Sequence, residues 1–205
     1  MNNFYEQFAA TAERFASRPA VEVQRRDTLE QFTYAELRGM AERTAAFLCR
    51  RGLAPGERAA ILADNDARWC AAYLGVLRLG GVAVPFDTAY QPKQIAALLR
   101  DSGAKILFVS LRYLAAARQA KRLAGTEAEL VLLYRPPPEE ADVRDASFDQ
   151  ILAQPAPTEL PPCPARLTDP AVILYTSGTT SDPKGVVLTH GNLLAEGQEI
   201  GRAHV

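Results

Sequence analysis

The sequence predicts an α/β fold, a mainly parallel sheet with flanking helices, and three observations carry that prediction. Between residues 58 and 134, short apolar runs alternate with helix-length amphipathic segments, the pattern of βαβ units. The 205 residues are 48% apolar and 23% charged, a composition able to bury one sizeable core. The formal net charge is −1 with both signs interspersed, so no basic stripe offers itself to nucleic acid.

Phe4, Phe8 and Phe15, with Ala12 between them, recur near helical spacing and predict an amphipathic helix over residues 3–16. Val21 to Val23 and Leu29 to Phe32 flank the polar Arg25-Arg26-Asp27, as two strands of a hairpin would. Thr33 and Glu36 form a capping box that opens a helix. Its Leu37, Ala41, Thr44, Ala45 and Leu48 share one face, and Gly52 stops it. Residues 58–63 then read as a strand, 66–79 as a helix, 81–85 as a strand and 91–102 as a helix. The series continues with 105–110 as a strand, 111–124 as a helix and 130–134 as a strand. Crossovers between such parallel strands are right-handed. Between Arg135 and Pro170 the composition shifts, because nine of the fourteen prolines fall there, and only 148–152 suits a short helix. That stretch is expected to be a surface excursion or linker. Residues 171–175 and 185–189 are further strands, and a helix starts at His190.

The three cysteines, Cys49, Cys70 and Cys163, are widely spaced and lack a partner at metal-ligand spacing, so a reduced, cytoplasmic setting is expected. No stretch approaches the ~20 apolar residues of a membrane span, which leaves peripheral membrane association as the remaining membrane role. Asp64, Asp66, Asp87 and Asp101 fall at strand or helix ends without the spacing of a metal site, and no metal ligand is assigned. Trp69 and Tyr73, four apart on a helix, suit a packing contact better than a ligand platform.

Chemistry concentrates between the last two strands. Thr176, Ser177, Gly178, Thr179, Thr180 and Ser181 run consecutively, and Pro183 and Lys184 follow. Hydroxyls and successive backbone N–H groups can donate to phosphate oxygens, Gly178 permits close backbone approach, and Lys184 adds a flexible point charge. The helix-opening nucleotide loop G-x-x-x-x-G-K-[ST] is excluded, since Pro183 and Gly185 break two of its four fixed positions. A loop joining strand to strand also has no helix dipole behind it. Hydroxyls and the lysine must do more. The bland alternative is a solvated hairpin loop. His190, after the last strand, is a second candidate as a substrate or nucleotide neighbour, set against a plain packing role.

The full string Tyr175-Thr-Ser-Gly-Thr-Thr-Ser-Asp-Pro-Lys184-Gly-Val resembles the phosphate-gripping signature of the adenylate-forming (AMP-binding) superfamily. Many members have Gly where Ser181 stands, which puts loop flexibility in question. Further landmarks occur in family order: Ser17-Arg-Pro-Ala-Val21, Phe32-Thr-Tyr-Ala-Glu-Leu37, Gly52-Leu-Ala-Pro-Gly-Glu-Arg58, Gly80-Gly-Val-Ala-Val-Pro-Phe-Asp87 and Asp101-Ser-Gly-Ala-Lys105. Asn65-Asp-Ala-Arg-Trp69, Tyr73-Leu-Gly75 and Val84-Pro-Phe-Asp87 resemble the acyl-CoA synthetase, or long-chain fatty acid–CoA ligase, branch. Peptide-synthetase domains usually show Tyr before that Val-Pro.

The resemblance implies the first part of the large amino-terminal domain of an adenylate-forming enzyme. ATP, Mg2+ and CoA would serve activation of a carboxylic acid, with a fatty acid as first choice, to an acyl-adenylate and then a thioester. Thr176, Ser177, Thr179, Thr180, Ser181 and Lys184 would contact the ATP phosphates through side chains, and Gly178 through its backbone. The Mg2+ ligand, the adenine and ribose contacts, the acyl pocket and a lysine on a mobile carboxy-terminal domain belong beyond residue 205. No catalytic residue is therefore assigned within the chain, and the chain alone is expected to be inactive. Two alternatives stay open: an amino-acid or aryl-acid adenylation domain that loads a carrier protein, and a non-catalytic phosphate- or nucleotide-binding module.

Residues 1–199 are expected to form the amino-terminal part of the AMP-binding domain. Residues 200–205, Ile-Gly-Arg-Ala-His-Val, back-translate to the opening of a common short-read sequencing adapter and are expected to be a non-native tail. The alternative is a native helix end.

Overall fold

The computed structural model describes residues 2–135, 145–157, 160–176 and 183–203. Helix α1 (Phe4–Arg14) leads into a hairpin of β1 (Pro19–Arg25) and β2 (Thr28–Thr33), followed by α2 (Tyr34–Arg50). Then come β3 (Arg58–Leu62), α3 (Ala67–Arg78), β4 (Val82–Pro85), α4 (Pro92–Ser102), β5 (Ile106–Val109), α5 (Leu114–Ala124) and β6 (Glu129–Leu132). A short β7 (Ala146–Ser147) and α6 (Phe148–Leu152) precede β8 (Pro170–Tyr175), β9 (Gly185–Thr189) and α7 (His190–Ala203).

The expected α/β architecture is present. Among the described residues, seven strands form one sheet in the order β7-β6-β5-β3-β4-β8-β9. Every pairing in it is parallel except that of β8 with β9. Central β3 and β5 are buried apart from the half-buried Arg58, as a sheet covered on both faces requires. Ile61 and Phe108 join the core that contains α2 and α3, while Leu62, Leu107 and Val109 face the core that contains α4 and α5. Side chains alternate across the sheet, so each strand feeds both layers.

The capping box at Thr33 is formed reciprocally: the Glu36 N–H donates to Thr33 Oγ1 at 3.2 Å and the Thr33 N–H donates to Glu36 Oε2 at 2.7 Å. That carboxylate sits below its ordinary range, held there first by the Thr33 N–H. Gly52, the expected stop, has φ 76°, a left-handed conformation that ends α2 at little steric cost.

Two details differ from expectation, and a third narrows it. The segment 111–124 is not one helix, because a 3-10 turn at Leu111–Tyr113 precedes α5. Strand β7 was not expected; two residues are too few to show a period of two, and it exists because Val131 and Leu132 pair with it. The described part of the proline-rich excursion is tied down rather than a free linker. Arg78 Nη1 donates to the Pro161 carbonyl at 2.7 Å, Asn3 Nδ2 to Ala165 at 3.1 Å and the Cys163 thiol to Leu77 at 3.3 Å.

The hairpin is fastened by polar contacts. Asp66 caps α3 by accepting the Trp69 N–H at 2.9 Å, and it also accepts the Tyr134 hydroxyl. Arg25 of β1 donates to that hydroxyl at 3.1 Å, and Arg68 lies 4.4 Å from the Tyr134 ring centroid. Burial, then Asp66, pushes the Tyr134 hydroxyl up to about 12. Trp69 and Tyr73 stack at 5.4 Å and pack against the α2–α3 core, the contact role expected of them. No helix among the described residues is long and apolar enough to cross a membrane. Nothing among them supports peripheral membrane association either.

Candidate functional site

The last parallel strand, β8, runs out at Tyr175, and β9 returns from Gly185 as its antiparallel partner. The intervening segment therefore leaves the carboxyl edge of the parallel sheet, the edge at which open α/β sheets bind ligands. It joins strand to strand, as the sequence predicts. The register pairs Val172 with Leu188, Ile173 with Val187, Leu174 with Val186 and Tyr175 with Gly185. Continued by one residue, it sets Thr176 opposite Lys184, both exposed. A hydroxyl and an ammonium thus flank the mouth of the loop. Ser177, Gly178, Thr179, Thr180 and Ser181 lie outside the described residues.

The neck of this hairpin is built from side chains distant in sequence. The Tyr175 hydroxyl donates to Asp101 Oδ2 at 2.5 Å in the last turn of α4, and the Tyr90 hydroxyl, just ahead of α4, donates to the Tyr175 carbonyl at 3.4 Å. The Phe86 ring meets the Tyr175 ring edge-on at 6.4 Å. Burial, then the hydrogen bond to Asp101, raises the Tyr175 hydroxyl well above its ordinary value. The phenol stays protonated and donating at neutral pH. A Cβ on Gly185 would come within 2.7 Å of Ile173 Cγ2 and 3.2 Å of Tyr175 Cε1, so glycine is what lets the ring lie against β9.

Asp101 and Tyr90 were not expected at this site. The Tyr175–Asp101 contact spans 74 residues, and neither spacing nor periodicity announces it. Of the other aspartates, Asp64 accepts the Tyr113 hydroxyl at 2.7 Å and Asp87 accepts the Ala89 N–H at 2.9 Å, both structural duties. Among the described residues no group of three or more His, Cys, Asp or Glu side chains could hold a metal ion.

His190 is placed away from the loop. Strand β9 separates it from Lys184 by about 20 Å at ~3.3 Å per residue, which sets it at the amino edge of the sheet. It is 0% exposed. Its Nδ1 accepts the Phe4 N–H at 3.3 Å, and its backbone N–H donates to the Asp169 carbonyl at 3.1 Å. Burial holds the imidazole below its ordinary pKa, opposed in part by Asp169. The side chain is therefore a packing joint between α1 and the start of α7.

A parallel sheet ending in an antiparallel hairpin, with the hairpin's neck tied to a flanking helix, defines a class of α/β domain that presents one loop beyond its strand ends. The family described as AMP-binding enzyme matches residues 8–204, and the chain belongs to it. It is 32% identical over 160 residues to the long-chain-fatty-acid–CoA ligase FadD13 of Mycobacterium tuberculosis, covering 78% of this chain and 30% of that protein. A plipastatin synthase polypeptide of Bacillus subtilis is 30% identical over 166 residues, 80% of this chain and 6% of that protein. Among solved structures, a benzoate CoA ligase from Burkholderia xenovorans LB400 superposes with a TM-score of 0.79 at 27% identity, over 97% of this chain and 36% of that one. The chain thus spans about a third or less of the length of these proteins.

Proposed function

We propose that the chain is the phosphate-gripping part of an ATP-dependent acid–thiol ligase that activates a carboxylic acid as its adenylate and then forms a CoA thioester. The carrying observation is the hydroxyl-rich loop that joins β8 to β9 at the carboxyl edge of the sheet, flanked by the exposed Thr176 and Lys184. In the first half-reaction a carboxylate oxygen attacks the α-phosphorus of ATP and pyrophosphate leaves. In the second, the CoA thiol displaces AMP from the acyl carbon. Thr176, Ser177, Thr179, Thr180, Ser181 and the Gly178 backbone hold the departing phosphates, and Lys184 neutralises charge as it develops on them. Mg2+ would accompany the ATP phosphates and screen them; no carboxylate cluster among the described residues is assigned to it. A fatty acid is the first candidate substrate, supported by the FadD13 likeness. The cytoplasm, which supplies ATP and CoA, is the compartment this reaction implies.

The test is carboxylate-dependent exchange of pyrophosphate into ATP by a full-length family member carrying this chain in place of its own matching segment. Exchange is expected in that chimera and not in the 205-residue chain alone. Lys184→Ala should lower the chimera's exchange rate about a hundredfold, the usual cost of losing one preorganised electrostatic contact. A chimera that folds but gives no exchange with any acid rejects the adenylation role. An unchanged Lys184→Ala rate rejects only the role of that lysine. A second reading, a domain that loads a carrier protein, is favoured by the likeness to plipastatin synthase. Hydroxamate formation with amino acids and not with fatty or aryl acids would select it.

A further inference from the structure

The loop mouth is held by a contact that the motif does not contain. Tyr175 is the last residue of β8 and the last paired position before the loop. Three features converge on it from outside the hairpin: Asp101 at 2.5 Å on its hydroxyl, Tyr90 at 3.4 Å on its carbonyl, and Phe86 against its ring. A fourth comes from β9, where the missing Cβ of Gly185 leaves room for the ring. An edge hairpin with this sequence would otherwise be loosely registered. Val186 and Val187 of β9 are about half exposed, so packing does little to set which residue of β9 faces Tyr175. A slip of one residue would turn Lys184 to the other face of the sheet. The glycine opposite leaves room for the Tyr175 ring against β9, and from that position its hydroxyl reaches Asp101.

We propose that Tyr175 and Asp101 are positioning residues: their hydrogen bond, seated on Gly185, locks the hairpin register that holds Lys184 opposite Thr176 for binding pyrophosphate oxygens. This rests on the phosphate-gripping role proposed above. Neither residue touches phosphate; each acts through Lys184.

The experiment is a double-mutant cycle on the 205-residue chain, with inorganic pyrophosphate as the probe in calorimetric titration and thermal unfolding measured alongside. Tyr175→Phe keeps the ring and loses the donor. Asp101→Ala loses the acceptor, while Asp101→Asn keeps one. Tyr175→Phe and Asp101→Ala should each weaken pyrophosphate binding about three- to tenfold, the worth of one hydrogen bond. The double variant should lose no more than either single one, and Asp101→Asn should bind close to wild type. Additive losses, or lower unfolding temperatures with unchanged pyrophosphate affinity, would overturn the positioning role and leave a merely structural contact. Absence of pyrophosphate binding by the folded wild-type chain would overturn the phosphate-gripping role itself, and the positioning role with it.

Discussion

His190 Nδ1 accepts the Phe4 N–H, which requires that nitrogen to be unprotonated, and Nε2 is buried without a hydrogen-bond partner among the described residues. Charging the ring would cost the desolvation of a cation and the loss of that hydrogen bond. Asp169 opposes this only partly. Because the folded pKa lies below the unfolded one, near ~6.5, the unfolded chain binds more protons between the two values. The stabilisation is complete above ~6.5 and is lost as pH falls from there toward the folded pKa. The urea midpoint of the chain should therefore drop between about pH 7.5 and 5.5, and His190→Gln should flatten that drop. Equal slopes in the two proteins would remove His190 as its source. Glu36 and Glu57 do not confuse the window, since their carboxyls are held low and give up their contribution only at more acid pH. At this same scale the motif left its own anchor unseen. Tyr175 opens the motif string, yet its partner Asp101 could be found only once α4 and β8 lay side by side.

Where α2 crosses α3, two helices approach through small residues. Ala41, Thr44 and Ala45 of α2 and Ala71, Ala72 and Gly75 of α3 are all fully buried or nearly so. A Cβ on Gly75 would come within 2.6 Å of Thr44 Cβ and 3.0 Å of the Ala41 carbonyl oxygen. Alanine favours a helix interior over glycine by up to ~1 kcal/mol, but overpacking a rigid contact costs about 1–3 kcal/mol, and the backbone carbonyl cannot swing away. Gly75→Ala should therefore lower the unfolding free energy, measured by urea denaturation at neutral pH, despite its better propensity. A stabilised variant would show the helices free to separate. Helix starts and stops were legible here because caps are local: the Thr33 box and Gly52 need only neighbours within one turn. Strand β7 was not, because two residues carry no pattern and depend on an existing β6 edge.

Across the whole molecule, the β9 edge stands out. Leu174, Val186 and Val187 are 40%, 47% and 51% exposed, and from Gly185 to Thr189 the strand has no charge, proline or bulge of its own to discourage pairing with another edge. The isolated chain should self-associate through this edge as concentration rises, and Val187→Lys should reduce the mass seen by light scattering on a sizing column. Equal masses for the two proteins would exclude β9 as the sticky edge. Element order, the βαβ alternation, the helix caps and the phosphate-loop motif were determined by the sequence itself, since each is written within a few neighbouring residues through period, spacing or backbone preference. Only the tertiary structure decided that Tyr175 is moored to Asp101, that His190 is a buried joint against α1, and that the proline-rich strap is tied back to α3. These depend on strand order and helix placement, which bring together residues 74 and 186 positions apart in the cases of Tyr175 and His190.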